Sequence, residues 1–255
     1  MSADLLTLDP ATFVQQHTIR SVLAIGAHPD DLDFGAAGTL AGLVACGVQV
    51  RYGIVTDGDA GGFHDQERSA LATQRQHEQR VAAETIGVST VDYLGYRDGA
   101  VVPGPDLEED LVHLMREMRP DLVLAPHPER DWSSLQKSHP DHLATGEAVT
   151  RAIYPAVENP FAFPRLAQHG WDAVKIRYLM LYGAPATRHT VRMDVTDFVG
   201  QKLAALDCHA SQHPDPEWMH QRVADQLQAN HPSPSRAAEL FHLVTVNGEL
   251  TFAGF

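Results

Sequence analysis

Four short apolar runs with β-branched residues alternate with helical patterns along the first half of the chain, and this alternation leaves few folds open. "SVLAIGA" (21–27), "VQVRYGIVT" (48–56), "TVDYLGY" (90–96) and "DLVLAP" (121–126) read as strands. Between them, "AAGTLAGLVACG" (36–47), the stretch from Glu67 to Ile86 and "LEEDLVHLMREM" (107–118) carry helical periodicity, and Gly47, Gly87 and Pro120 stop them. A βαβαβαβ order predicts an α/β fold, a mostly parallel sheet with helices on both faces. Beyond Pro126 the pattern loosens. A polar loop precedes a helix beginning near Pro140, strands are expected in 174–183 and 240–248, and helices in 197–210 and 216–229. No repeat or low-complexity tract interrupts the chain, so one domain over residues 1–255 is expected.

Charge narrows the partners. The formal net charge of -14 repels phosphate backbones and anionic lipid, which argues against nucleic acid or a membrane surface. The two cysteines, Cys46 and Cys208, form no metal-binding or disulfide spacing, and Cys46 in its small apolar run is expected to be a buried, inert thiol. The opening "MSADLLTLDPATF" lacks the basic and apolar regions of a leader, and no run is long enough to span a membrane, so a cytoplasmic protein is expected.

Chemistry concentrates after the first and fourth of these strands. "AHPDDLDFG" (27–35) places His28, Asp30, Asp31 and Asp33 at a strand end, where clustered carboxylates are unfavourable without compensation. "SHPDH" (138–142) nearly repeats it after the fourth strand. In an open parallel sheet both stretches belong to the rim at the carboxyl ends of the strands, where ligands bind. His28 and Asp31 stand three apart, as do His139 and His142, and Pro29 and Pro140 suit the first turn of a helix. Two imidazoles and a carboxylate make a catalytic zinc set, so His28, Asp31 and His142 are the expected ligands; ferrous iron accepts the same set. Asp30, between two ligands, would take a proton from the attacking water, and His139 would face the developing oxyanion. Asp141 would orient a neighbouring imidazole. Against this stands the plainer reading of each motif, a helix N-cap in which Asp30 or Asp141 only serves the dipole.

At these residues the chain resembles the PIG-L/LmbE-like family of metal-dependent N-deacetylases, marked by AHPDD after a first strand and HPDH opening a later helix. The resemblance covers a core of about residues 20–210. It implies a Rossmann-like fold and hydrolysis of an N-acetyl group from an amino sugar or its conjugate. It gives His28, Asp31 and His142 as ligands, Asp30 as base and His139 as the oxyanion-side histidine. It also implies a small-molecule N-acetylated amino-sugar substrate and a homo-oligomer. "RQHE" (75–78) and "LGYRDG" (94–99) resemble two further family motifs, which puts Arg75 and Asp98 at sugar hydroxyls. Arg75 could instead pair with Glu78 or Glu84 on a solvated helix face, and Asp98 could be a turn residue. His209, in "CHASQ", is either a rim residue or a helix-end histidine. Trp132 either stacks on a sugar face or packs on the scaffold, and the loop 56–65 would line the pocket mouth with it. Many members carry Glu directly after HPDD, whereas Leu32 stands here and Asp33 follows, which gives Asp33 a supporting role or signals a different substrate. Two alternatives remain: cleavage of a larger amide in a thiol–sugar conjugate, and a non-catalytic sugar- or metal-binding module. A dinucleotide oxidoreductase is disfavoured, since the acids of "GAHPDD" would repel a pyrophosphate.

Overall fold

The computed structural model describes residues 5–62 and 67–248. Its strands are β1 (Leu6–Leu8), β2 (Ser21–Gly26), β3 (Gln49–Thr56), β4 (Val91–Tyr96), β5 (Leu122–Pro126), β6 (Tyr178–Tyr182), β7 (Val191–Asp194) and β8 (Ala238–Thr245). The helices are α1 (Pro10–His17), α2 (Asp31–Ala45), α3 (Arg68–Thr85), α4 (Pro105–Met118), α5 (Pro140–Arg151), α6 (Pro164–Gln168), α7 (Val199–Asp207) and α8 (Pro216–Ala229). The strands form one sheet in the order β1-β7-β8-β6-β5-β2-β3-β4, parallel except where β8 runs antiparallel to β6 and β7. The α/β architecture expected from the alternation is therefore present.

Strands buried on both faces need apolar residues at every position, which is why β2 and β5 read as continuous runs. Along β2, Val22 and Ala24 enter one core with α1, α2, α7 and α8, while Leu23 and Ile25 enter a second core with α4 and α5. From β2 the chain winds through β3 to β4 on one side and then returns to lay β5 on the other side of β2. This reversal creates a switch point between β2 and β5, the crevice where open α/β sheets bind ligands. The loops carrying the two histidine–aspartate motifs leave it side by side.

Three features differ from the sequence expectations. The structure adds β1, α1, α6 and β7, elements too short to show a period. α2 begins at Asp31 rather than near Ala36, because the acidic residues themselves form its first turn. Cys46 is exposed rather than buried, since α2 ends at Ala45 and turns the next residue outward. One buried ion pair bears on the rim. Lys202 Nζ donates to Glu239 Oε1 at 2.8 Å and to the backbone oxygens of Asp33 and Phe34. Glu239, near the start of β8, also accepts from the N–H groups of Gly38 and Thr39.

Candidate active site

The loop after β2 folds around its own carboxylate. Asp31 Oδ2 accepts from the backbone N–H groups of Ala27 at 2.9 Å and His28 at 2.8 Å, which leaves Oδ1 pointing outward, 2.9 Å from Nε2 of His142. His28 Nδ1 lies 3.2 Å from the same His142 nitrogen and 3.6 Å from Asp31 Oδ2. His28, Asp31 and His142 thus converge, donor atoms inward, from the ends of two neighbouring strands.

The other edge of the His28 ring is equally committed. Its Nε2 lies 3.1 Å from Asp141 Oδ2 and 3.3 Å from Asp98 Oδ1. Asp141 is fixed in turn by the N–H groups of Gly99 at 2.7 Å and Val101 at 3.2 Å. A proton on Nε2 shared with these carboxylates leaves the Nδ1 lone pair facing Asp31 and His142, the carboxylate–histidine arrangement that orients metal ligands. Among the described residues, two groups of side chains come close enough to hold a cation, His28 with His139 and His142, and His28 with Asp98 and Asp141. A histidine presents one lone pair, and Asp98 and Asp141 sit on the side where the proton belongs. The Nδ1 side, completed by Asp31, is the better centre.

Charge in this cluster is unbalanced without a cation. Burial draws the His28 imidazole down, but hydrogen bonds to Asp31 and Asp98 and their charges outweigh it and push its pKa up to about 11. Burial would raise Asp31, yet the charge of His142 and hydrogen bonds to both imidazoles hold it well below the usual carboxylate range. A cavity that drives an imidazole to stay protonated is built to hold positive charge, so the donor set fits a divalent metal.

Asp30 stands beside this centre at the head of α2, with φ +103°, a conformation that side-chain-bearing residues seldom adopt. It makes no side-chain capping bond. Burial lifts its carboxyl to about 6; the Arg75 guanidinium, Nη2 3.3 Å from Oδ2, pulls the other way, and the Asp31 charge adds to the rise. His139 is the N-cap of α5, its Nδ1 accepting from the Asp141 N–H at 3.2 Å, so its Nε2 carries the proton. Its ring packs edge-on to His28 at 4.9 Å between centroids.

The remaining candidates fall in different places. Arg75 is not on a solvated face: it is buried and donates to the carbonyls of Pro29 at 2.6 Å and Gly58 at 3.0 Å. Asp98 accepts from the Ala60 N–H at 3.1 Å, with Arg75 Nη1 at 3.8 Å. Asp33 and His209 are fully buried behind Asp30 rather than at a rim, His209 Nε2 lying 2.8 Å from Asp33 Oδ2. The Trp132 side chain is 82% exposed, with the Arg130 guanidinium 5.7 Å from its ring centre, and does not pack on the scaffold. Of the glycine-rich loop expected at the mouth, residues 63–65 lie outside the described residues.

Two neighbours of Asp30 escaped the sequence reading. Gln79 Oε1 accepts from the Asp30 N–H at 2.8 Å. His213, in a stretch that reads as a turn, brings Nε2 to 3.9 Å from Asp30 Oδ2 and lays its ring against Phe34. Burial chiefly, with the charge of His209, lowers the His213 imidazole to about 4. Its HPD sequence repeats the two motifs, the one available signal.

Residues 23–153 match the family described as PIG-L, GlcNAc-PI de-N-acetylase. The chain is similar to diacetylchitobiose deacetylase of Thermococcus kodakarensis, 32% identical over 78% of this chain and 73% of that one. It is also similar to 1D-myo-inositol 2-acetamido-2-deoxy-alpha-D-glucopyranoside deacetylase of Salinispora arenicola, 27% identical over 81% and 80%. Among solved structures, N,N'-diacetylchitobiose deacetylase from Pyrococcus horikoshii, in complex with an inhibitor, superposes with a TM-score of 0.81 at 28% identity, covering 89% of this chain and 84% of that one.

Proposed function

We propose that this chain, which belongs to the PIG-L family, removes the acetyl group from an N-acetylglucosamine-containing substrate at the centre formed by His28, Asp31 and His142. The observation that carries the reading is the convergence of His28 Nδ1, Asp31 Oδ1 and His142 Nε2, with the Asp30 carboxylate beside them. Two imidazoles and one carboxylate suit zinc, the metal we assign. When bound, the cation would make the attacking water more acidic and draw charge from the acetamide oxygen.

The protein groups divide the remaining work. Asp30 accepts the proton of the water that adds to the acetamide carbonyl. His139, with its proton on Nε2, donates to the carbonyl oxygen as that atom gains charge. When the C–N bond breaks, the proton taken by Asp30 passes to the leaving amine, and acetate departs. Asp141 holds His28 in the tautomer that ligation needs. Arg75 and Asp98 flank the loop of Gly58 and Ala60, and the sugar hydroxyls are assigned to that side.

The test is amine release from a panel of N-acetylated glucosamine derivatives by protein as purified, after chelation and after return of zinc. Release that chelation abolishes and zinc restores is the expected result. A stoichiometric bound metal with no release from any of them would overturn the reading in favour of a larger amide or a binding role.

A further inference from the structure

We infer that Gln79 is a positioning residue for Asp30; the inference rests on the reading of Asp30 as the base. The Pro29–Asp30 peptide is gripped at both ends from one helix. Arg75 Nη2 donates to the Pro29 carbonyl at 2.6 Å, and Gln79 Oε1, one turn further along α3, accepts from the Asp30 N–H at 2.8 Å. That peptide plane, together with the Asp30 carbonyl that accepts from the Asp33 and Phe34 N–H groups at 3.0 Å, sets φ of Asp30 at +103°, a value a residue with a Cβ keeps only where its surroundings over-determine it.

The orientation of the Gln79 amide is itself dictated. Its Nε2 donates to Asp33 Oδ2 at 2.7 Å, and a carboxylate has no proton to return, so the amide oxygen must face Asp30. His209 Nε2 approaches the same Asp33 oxygen at 2.8 Å and holds it still. Asp33, Gln79 and His209 are all fully buried, so water supplies no substitute partner. This gives the departure at Asp33 a purpose: the carboxylate at this position orients the amide that orients the base.

The experiment compares wild type, Gln79→Leu, Gln79→Glu and the double variant Gln79→Glu, Asp33→Asn, each loaded with zinc. Gln79→Leu should lower kcat by about 10- to 100-fold, the scale of a misplaced catalytic group, while KM and bound zinc stay at wild-type values. The Asp30 amide should lose its protection from hydrogen exchange in the same variant. Gln79→Glu sets two carboxylates against each other and should behave alike. Adding Asp33→Asn returns a donor opposite the acceptor at position 79 without changing the total charge, with His209 taking the tautomer whose Nε2 accepts from the new amide, and should recover both kcat and amide protection. Wild-type kcat in Gln79→Leu, loss of zinc in step with activity, or no recovery in the double variant would overturn the inference. If Gln79→Leu does not fold, recovery from Gln79→Glu to the double variant decides. A wild type that binds zinc but deacetylates nothing overturns the proposed function, whereas Asp30 amide exchange still decides what Gln79 holds.

Discussion

Asp141 Oδ2 lies 3.1 Å from Nε2 of His28, and the N–H groups of Gly99 and Val101 hold that carboxylate in place. The first residue of one motif is therefore oriented by the third residue of the other. The pairing joins the loops after β2 and β5 and draws in the loop after β4, so one carboxylate ties three strand ends to one imidazole.

Removing that tie should loosen the metal. Asp141→Ala leaves His28 Nε2 with Asp98 alone, at 3.3 Å, so the ring is held less firmly and zinc affinity should fall by about 10-fold. Competition with a chromophoric chelator measures it. Unchanged affinity would show that Asp98 holds the ring without Asp141.

Asp30→Asn separates proton transfer from ligation. Asparagine keeps the shape and the backbone contact with Gln79 but cannot take a proton. Turnover should fall by about 10²- to 10⁴-fold while bound zinc stays stoichiometric. Steady-state kinetics together with elemental analysis checks both halves.

Gly146 is the close contact between α5 and β5. A Cβ there would meet the Pro126 carbonyl oxygen at 2.4 Å, the Pro128 nitrogen at 2.9 Å and the His127 carbonyl carbon at 3.0 Å, all backbone atoms that cannot swing away. Gly146→Ala should push α5 outward, cost roughly 1–3 kcal/mol and displace His142, one turn earlier on the same helix. Thermal unfolding and zinc affinity should fall together.

A histidine pair sets an acid limit on stability. His127 Nδ1 accepts from the Glu129 N–H at 3.0 Å, so its Nε2–H donates to Nδ1 of His242 at 3.1 Å. Burial chiefly, and then the charge of His242, lower His127 to about 4 from 6.5; the Glu129 carboxylate opposes them and Arg188 adds a smaller push down. The unfolded chain therefore binds this proton first. The contribution is fully present above about pH 6.5 and is lost as pH falls from there toward 4. Unfolding midpoints of wild type and His127→Asn across that window should converge as pH drops.

The sequence made the sheet and the rim legible because both leave periodic or local marks. Strands buried on two faces are runs of apolar residues, and proline after histidine marks a turn that aims side chains. His28, Asp31, His139 and His142 could be brought together on paper because parallel strands must end at one rim. The partners of Asp30 could not. Gln79 and Arg75 reach it through the packing of α3 on the loop after β2, and His209 reaches Asp33 from beyond α7, so neither spacing nor composition records the contact. The fully buried state of Asp33 was hidden for the same reason: its two donors lie 46 and 176 residues away. Short elements such as β7 gave too few residues for a pattern to appear.

The Lys202–Glu239 pair has a bearing on how the protein is made. A ribosome finishes the whole set of His28, Asp30, Asp31, His139 and His142 long before it reaches Glu239. Until then the N–H of Thr39 lacks a carboxylate partner that lies 200 residues further on, and Lys202 has no counter-charge for its ammonium. The first turn of α2, where Asp31 and Asp33 sit, therefore gains this support only after Glu239 has been made. A nascent chain that stops before β8 carries every proposed ligand yet lacks the Glu239 carboxylate that pairs with Lys202 beside the first turn of α2.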